Sequence, residues 1–305
     1  MKHCKSIILV VIGCSIVVQA SCISQQDNPD GNDYTQYVDP LIGTDYTGNT
    51  YPGAQVPFGM VQLSPDNGLP GWDRIAGYFY PDSTISGFSH THLSGTGAGD
   101  LYDISFMPVM LPVREAKAPL GVHSRFSHDD EMASAGYYQV RLTDYNINVE
   151  LTATERCGVQ KYTFPQGEAA VILNLSKAMN WDATQDSRIS VVDSVTVEGY
   201  RFSNGWARDQ RLWFRSRFSQ PWDSISVERS PIVNDRGETI GMGEVAWFYF
   251  NTNKDEQITV STALSCTGAE GAALNLSAEV PDDDFEYYRV YAQKRWNEEL
   301  AKIEV

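Results

Sequence analysis

The 305-residue chain reads as an all-β protein, a sandwich or a barrel, followed by one amphipathic helix. Three observations carry that expectation. Between Ile104 and Leu264, short runs of alternating apolar and polar residues recur at strand length, separated by turn residues. From Tyr37 to Asp103, glycine and proline fall every few residues among many aromatics, a mix that excludes both a long helix and a disordered linker. After Val280 the apolar period changes from two to three and four. No repeat of fixed period is present, which argues against a propeller or solenoid.

Taken in order, Met1–Cys22 has a positive start at Lys2 and Lys5 and an apolar core over Ile7–Val18, the pattern of an export signal and too short to span a bilayer comfortably. Ala20-Ser21-Cys22 resembles a bacterial lipobox, which would make Cys22 the acylated N-terminus. Plain secretion after Ala20 is the alternative, and Gln19 is unusual for the lipobox. The polar run Ser24–Asn32 then serves as a tether.

Beyond the glycine-rich stretch, strands are expected at Ile104–Val109, Tyr137–Leu142, Asn148–Thr154, Val159–Phe164 and Ala169–Leu175. Ile189–Val192 and Ser194–Tyr200 pair about Asp193, and Arg211–Phe218, Ala246–Asn251 and Gln257–Leu264 complete the set. Asp282-Asp283-Asp284 places negative charge at a helix start. Phe285, Tyr288, Ala292, Trp296, Leu300 and Ile303 then form one apolar face. A lone terminal helix would expose Trp296 and Tyr288, so it must pack on the sheets or lead into further structure. The absence of a stop signal before Val305 favours the second.

Hydrophobic residues make up 42% of the chain, enough for one large core or two small ones. The formal net charge is −16, and the first 22 residues carry only lysines, so the rest is more acidic still. That balance argues against nucleic acid or an anionic membrane surface as partner and leaves a lipid anchor as the one membrane contact. Cys157 and Cys266 are the two thiols of the folded part, and an exported chain permits them to pair or to stay free.

Several motifs could carry chemistry. His90-Thr91-His92 points two imidazoles the same way on an extended segment, with Asp100 and Asp103 nearby. A metal site is one outcome, and hydrogen-bonded histidines bracing a loop is the plainer one. Gly95–Asp100 lacks the spacing and context of a dinucleotide loop, and no GxSxG elbow is present. Trp72-Asp73-Arg74 follows a Pro-Gly turn; its ring could cover sugar C–H groups while the carboxylate takes hydroxyl hydrogens, or the Trp could cap the core beside a surface ion pair. Trp181-Asp182, Trp222-Asp223 and the segment Gly205–Gln210 repeat the mix. Several such pairs in an acidic exported β-protein point towards carbohydrate. Glycoside hydrolysis needs two carboxylates across the bond, and no such pair stands out.

Read together, YVDPLIGTD, TYPGAQVPFGMVQLSPD, GWDRIAGY, GFSHTHLSGTGAGDLYDI, SRFSHDDE, GYYQVRL, ELTATERCGVQKYTFP and GWARDQ resemble, in order, the N-terminal domain of glycoside hydrolase family 92. The resemblance runs from Tyr37 to the final helix. It implies an exo-acting, inverting, calcium-dependent α-mannosidase of a gut Bacteroides-type bacterium. A large antiparallel, supersandwich-like β-sandwich would be joined by linker helices to an (α/α)6 barrel holding the catalytic acid, the base and the Ca2+ ligands.

With the signal peptide over 1–22 and the tether over 23–36 read from the residues, the resemblance implies the sandwich over 37–280 and a linker helix, truncated, over 281–305. Gly43, Thr44, Trp72 and Asp73 would face α-mannoside glycans, with no catalytic residue and no metal ligand in this chain. The chain would be periplasmic or a surface lipoprotein of a Gram-negative bacterium. Asn49 stands where many members carry His, and the barrel is missing. The chain would then be half of an enzyme; a stand-alone carbohydrate-binding lipoprotein and a purely structural one are the alternatives.

Overall fold

In the computed structural model, residues 32–95, 97–113, 121–176, 181–234 and 236–303 are described. The expected export signal, Cys22 and most of the tether lie outside them. The strands are β1 (Ser64–Asp66), β2 (Thr84–Ile85), β3 (Gly87–Ser89), β4 (Ser105–Met110), β5 (Ser124–Arg125), β6 (Glu131–Ser134), β7 (Tyr137–Leu142) and β8 (Ile147–Ala153). They continue as β9 (Cys157–Phe164), β10 (Gly167–Asn174), β11 (Ala183–Val191), β12 (Thr196–Asn204), β13 (Gln210–Phe218), β14 (Ser224–Val233), β15 (Thr239–Thr252) and β16 (Glu256–Ser265). Two helices follow, α1 (Ala269–Glu279) and α2 (Phe285–Leu300).

Fourteen strands make one sheet in the order β1-β3-β4-β10-β15-β11-β12-β13-β16-β9-β8-β7-β6, with β14 added to β15. β2 and β5 form a separate pair. The pairings are antiparallel except for one parallel bridge between β11 and β15, Asp186 opposite Met242. The sheet curls into a sandwich. In a flat sheet β4 and β13 would lie five strand spacings apart, roughly 24 Å. Yet Phe106 of β4 and Phe218 of β13 have ring centroids 6.4 Å apart, edge to face. The large core lies inside that curl, with Val149, Tyr162, Val171, Phe214 and Phe248 fully buried.

The parity of each strand decides which residues enter this core. On β9, Tyr162 and Phe164 face it while Val159 joins a second, outer cluster. There Tyr137, Cys157, Val159 and Ala263 receive Leu276 of α1 and Phe285 and Tyr288 of α2. Helix α2 therefore packs on the sandwich. Asp284 caps it, its carboxylate accepting from the Tyr287 N–H at 3.1 Å. Ala292 lies so close to Gly136 that a Cβ there would sit 2.7 Å from the Ala292 methyl. Trp296 is half-buried and donates its indole N–H to the Gln55 carbonyl at 2.6 Å. At the other end of the chain the 3-10 turn Tyr34–Tyr37 also docks on α2, with Tyr34 N–H donating to Asn297.

Beyond the glycine-rich stretch, the short strands β5 and β6, the long strand β14 and helix α1 were not expected. β14 is mostly exposed and carries Glu228, Arg229 and Pro231, which mask strand character but suit an edge strand. α1 follows β16 at once, and Gly271 and Ser277 blur its period. Cys157 is buried and Cys266 exposed, and both are free thiols. Burial pushes the Cys157 thiol well above its usual range.

Candidate functional site

The loops expected to face a ligand meet beside the first strands. Gly43 adopts φ +86°, where a side chain would be strained and would meet the Thr50 hydroxyl at 2.9 Å. Thr44 is buried. Its hydroxyl donates to the Leu41 carbonyl at 2.8 Å, and its own carbonyl accepts from Tyr80 N–H at 2.9 Å. Thr44 is thus a brace between the Leu41–Thr50 loop and the segment after Trp72. Asn49, at φ +50°, is buried, and its carbonyl accepts from Gly95 N–H at 2.6 Å.

Trp72-Asp73-Arg74 forms a short 3-10 turn, with Trp72 and Asp73 exposed. Arg74 pairs with Asp82, through Nε at 2.6 Å and Nη2 at 2.5 Å, and its guanidinium lies 4.7 Å over the Phe79 ring. That hydrogen-bonded carboxylate raises the Arg74 pKa further. The turn is held from behind while its Trp and Asp project into solvent.

The histidines take the plainer role. His90 donates from Nδ1 to the Ile104 carbonyl at 2.7 Å and lies edge-on to Phe106. It is fully buried, which pushes its pKa down to about 4. A Cβ on Gly158 would sit 2.8 Å from His90 Nε2, so a strand glycine makes room for the ring. His92 donates from Nδ1 to the Gln62 carbonyl at 2.7 Å, and its Nε2 lies 2.9 Å from Asp66 Oδ1 and 3.1 Å from Ser89 Oγ. Tyr51 lies against its ring at 5.3 Å. Among the described residues, no group of three or more His, Cys, Asp or Glu side chains is placed to hold a metal ion.

The remaining Trp–Asp pairs sort into two kinds. Trp222 packs on Phe218 and Phe248, and Asp223 accepts from Asn251 N–H at 2.8 Å, so that pair is structural. Trp181 instead stands 47% exposed, with its ring 5.9 Å from that of Trp72 and tilted 39° to it. Its neighbour Asp182 is buried against Arg201, Nη2 to Oδ1 at 2.5 Å, and Arg201 also reaches Asp103 Oδ1 at 2.5 Å and Thr184 Oγ1 at 3.0 Å. Burial lifts the Asp182 carboxyl above its ordinary range while the Arg201 charge pulls it back. Trp206 is 76% exposed on a loop whose Trp206 and Ala207 N–H groups both donate to the Asp100 carboxylate at 2.9 Å.

Sequence reasoning missed Arg201 and the anchoring role of Asp100. A signal for Arg201 existed: it shares strand parity with Val197 and Gly199, the buried side of an alternating strand, and a buried Arg requires carboxylates. Asp100 had none, because its partners lie more than a hundred residues away.

The structure is thus a curled β-sandwich with exposed Trp and Asp side chains on a turn braced from behind. The chain belongs to glycoside hydrolase family 92: the model described as the glycosyl hydrolase family 92 N-terminal domain matches residues 37–265. A family 92 α-mannosidase from Bacteroides thetaiotaomicron, solved with mannoimidazole, superposes with a TM-score of 0.81 at 33% identity, over 89% of this chain and 37% of its own. A family 92 inverting mannosidase from Bacteroides thetaiotaomicron VPI-5482 gives 0.72 at 29% identity, over 89% and 37%. An uncharacterized secreted glycosidase of Arthroderma benhamiae is 26% identical over 89% of this chain and 38% of its own. The chain spans little more than a third of the length of these relatives.

Proposed function

We propose that this chain is the sugar-facing N-terminal part of an exported α-mannosidase, forming one wall of a mannose pocket whose reactive wall is an (α/α)6 barrel. The observation that carries this reading is the exposed Trp72–Asp73 pair on a turn braced by Arg74 and Asp82. A rigid indole face beside a carboxylate suits a pyranose, whose C–H groups lie on the ring and whose hydroxyls donate to the acid. Gly43 would meet the sugar through its backbone. Thr44, whose hydroxyl is held by Leu41, shapes the loop instead. In this reading Ca2+, the acid and the base belong to the barrel. The relative secreted by Arthroderma benhamiae supports export, and Cys22 is the proposed point of lipid attachment to a Gram-negative cell surface.

In a protein joining this chain to the barrel, Trp72→Ala should raise KM or lower kcat by at least about tenfold. Unchanged kinetics would remove Trp72 from the pocket. The purified chain by itself should not hydrolyse aryl α-mannosides with or without calcium, and calcium-dependent turnover by it would overturn the assignment of the chemistry to the barrel.

A further inference from the structure

A half-open cavity of about 200 Å3 lies between α1, α2 and the turn that joins β8 to β9. Roughly 150 Å3 is enough to hold a benzene-sized molecule. None of the lining residues belongs to the mannose wall, and the reading proposed above gives the cavity no role.

Two carboxylates form one side of it. Glu279 closes α1, and its side chain is only 10% exposed. Its Oε2 accepts from Thr154 Oγ1 at 2.5 Å and from the Arg156 backbone N–H at 2.8 Å. Its Oε1 is buried and accepts no hydrogen bond from the described residues; Arg156 Nε lies 2.6 Å away but out of line for one. Glu155 accepts from the Tyr291 hydroxyl at 2.9 Å and pairs with Arg295, whose Nε lies 3.8 Å from Glu298. Three carboxylates thus stand around two arginines, in a chain of net charge −16.

Rings form the other side. Tyr287 is 52% exposed and meets the buried Tyr288 edge to face, centroids 5.3 Å apart. The hydroxyl hydrogens of Thr154, Tyr288 and Tyr291 are committed to Glu279, Asp282 and Glu155. The cavity therefore offers acceptors and ring faces, which suits a ligand rich in donors. A sugar needs donors as well as acceptors. An ammonium head on an apolar stem brings N–H groups and positive charge to the carboxylates and a cation to the rings. We infer that this cavity binds a primary alkylammonium group, its head on Glu279 Oε1 and its stem along Tyr287 and Ala278. The group comes either from a free diamine or from a lysine side chain of a partner protein.

Titration of the full chain with n-butylammonium chloride at constant ionic strength, followed by 1H–15N NMR, tests this. The amides of Ala278, Glu279 and Tyr291 should shift saturably with a millimolar dissociation constant. Glu279→Gln should weaken binding at least about tenfold, the scale of a lost charged acceptor. Tyr287→Ala should weaken it about threefold, the scale of one exposed ring–cation contact. Glu279 also anchors Thr154 and Arg156, so if Glu279→Gln does not fold, Tyr287→Ala at its half-exposed position carries the test. Two further arms separate the sources: a capped lysine that binds as tightly as butylammonium assigns the site to a protein partner, and binding of 1,5-diaminopentane with exclusion of the capped lysine assigns it to free amines. Absence of a saturable shift with butylammonium, equal binding of tetramethylammonium, which has no N–H, or a stronger shift of the same amides by methyl α-mannoside overturns the inference and leaves the mannose wall standing.

Discussion

The two sides of the sheet treat aromatic residues in opposite ways. Beneath α1 and α2, Tyr137, Phe285 and Tyr288 are buried against one another, with Tyr137 and Phe285 6.4 Å apart edge to face. At the loop end, Trp72, Trp181 and Trp206 stand in water, and the burial is carried by the polar groups that hold them: Asp100, Asp103, Asp182 and Arg201. On the helix side an aromatic ring is its own explanation, because removing it from water stabilises the fold. On the loop side the stability cost lies in burying charge, and nothing within the fold is gained by leaving the rings exposed. That asymmetry separates a packing surface from one whose exposed rings the fold itself does not require.

The comparison can be tested from either side, and the largest effect is expected at its charged centre. Arg201→Ala leaves Asp103 and Asp182 buried without their cation and should destabilise the chain by about 3–5 kcal/mol in urea titration. A cost below about 1 kcal/mol would mean that the network is dispensable. Phe285→Ala should cost about 3 kcal/mol through the cavity it leaves between α2 and the sheet, and should leave sugar affinity unchanged. A loss of sugar binding in that variant would blur the division between the two sides.

Acid should act through the loop side. His90 is buried and neutral, its pKa lowered by burial from 6.5 to about 4, so the unfolded chain takes up the proton first as pH falls. Its contribution is complete above about pH 6.5 and is lost towards pH 4, a decline of roughly 3 kcal/mol over that window. In His90→Gln the slope of stability against pH between those limits should flatten; an unchanged slope would assign the acid sensitivity elsewhere. The smallest stability effect belongs to Trp72→Ala, within about 0.5 kcal/mol in the same urea titration, because an exposed ring contributes little to folding. A large destabilisation would make Trp72 a core cap after all.

Much of the fold was legible because period and parity are local. Tyr137–Leu142 is a strand at the expected bounds, and the helix begins where the three aspartates announce it. Where a strand gains nothing from burial, as β14 does, the pattern that would reveal it is missing. A sandwich was expected, but which strands face each other across it was not legible, since Phe106 and Phe218 meet only through the curl. Trp72 and Asp73 stand out in the sequence by their turn and chemistry, and both are exposed in the structure. The pairing of Trp72 with Trp181, and the loop anchoring by Asp100, come from contacts across 80 residues or more, which no spacing rule conveys.

Gln55 is gripped from two directions. Its backbone carbonyl receives the Trp296 indole of α2, and its side-chain oxygen receives the Tyr51 hydroxyl at 2.8 Å. Tyr51 in turn leans on the His92 ring beneath the glycine-rich loop. Helix α2 and the glycine-rich loop are therefore joined through one residue: Gln55 offers its backbone to the helix and its side chain to the tyrosine that rests on His92.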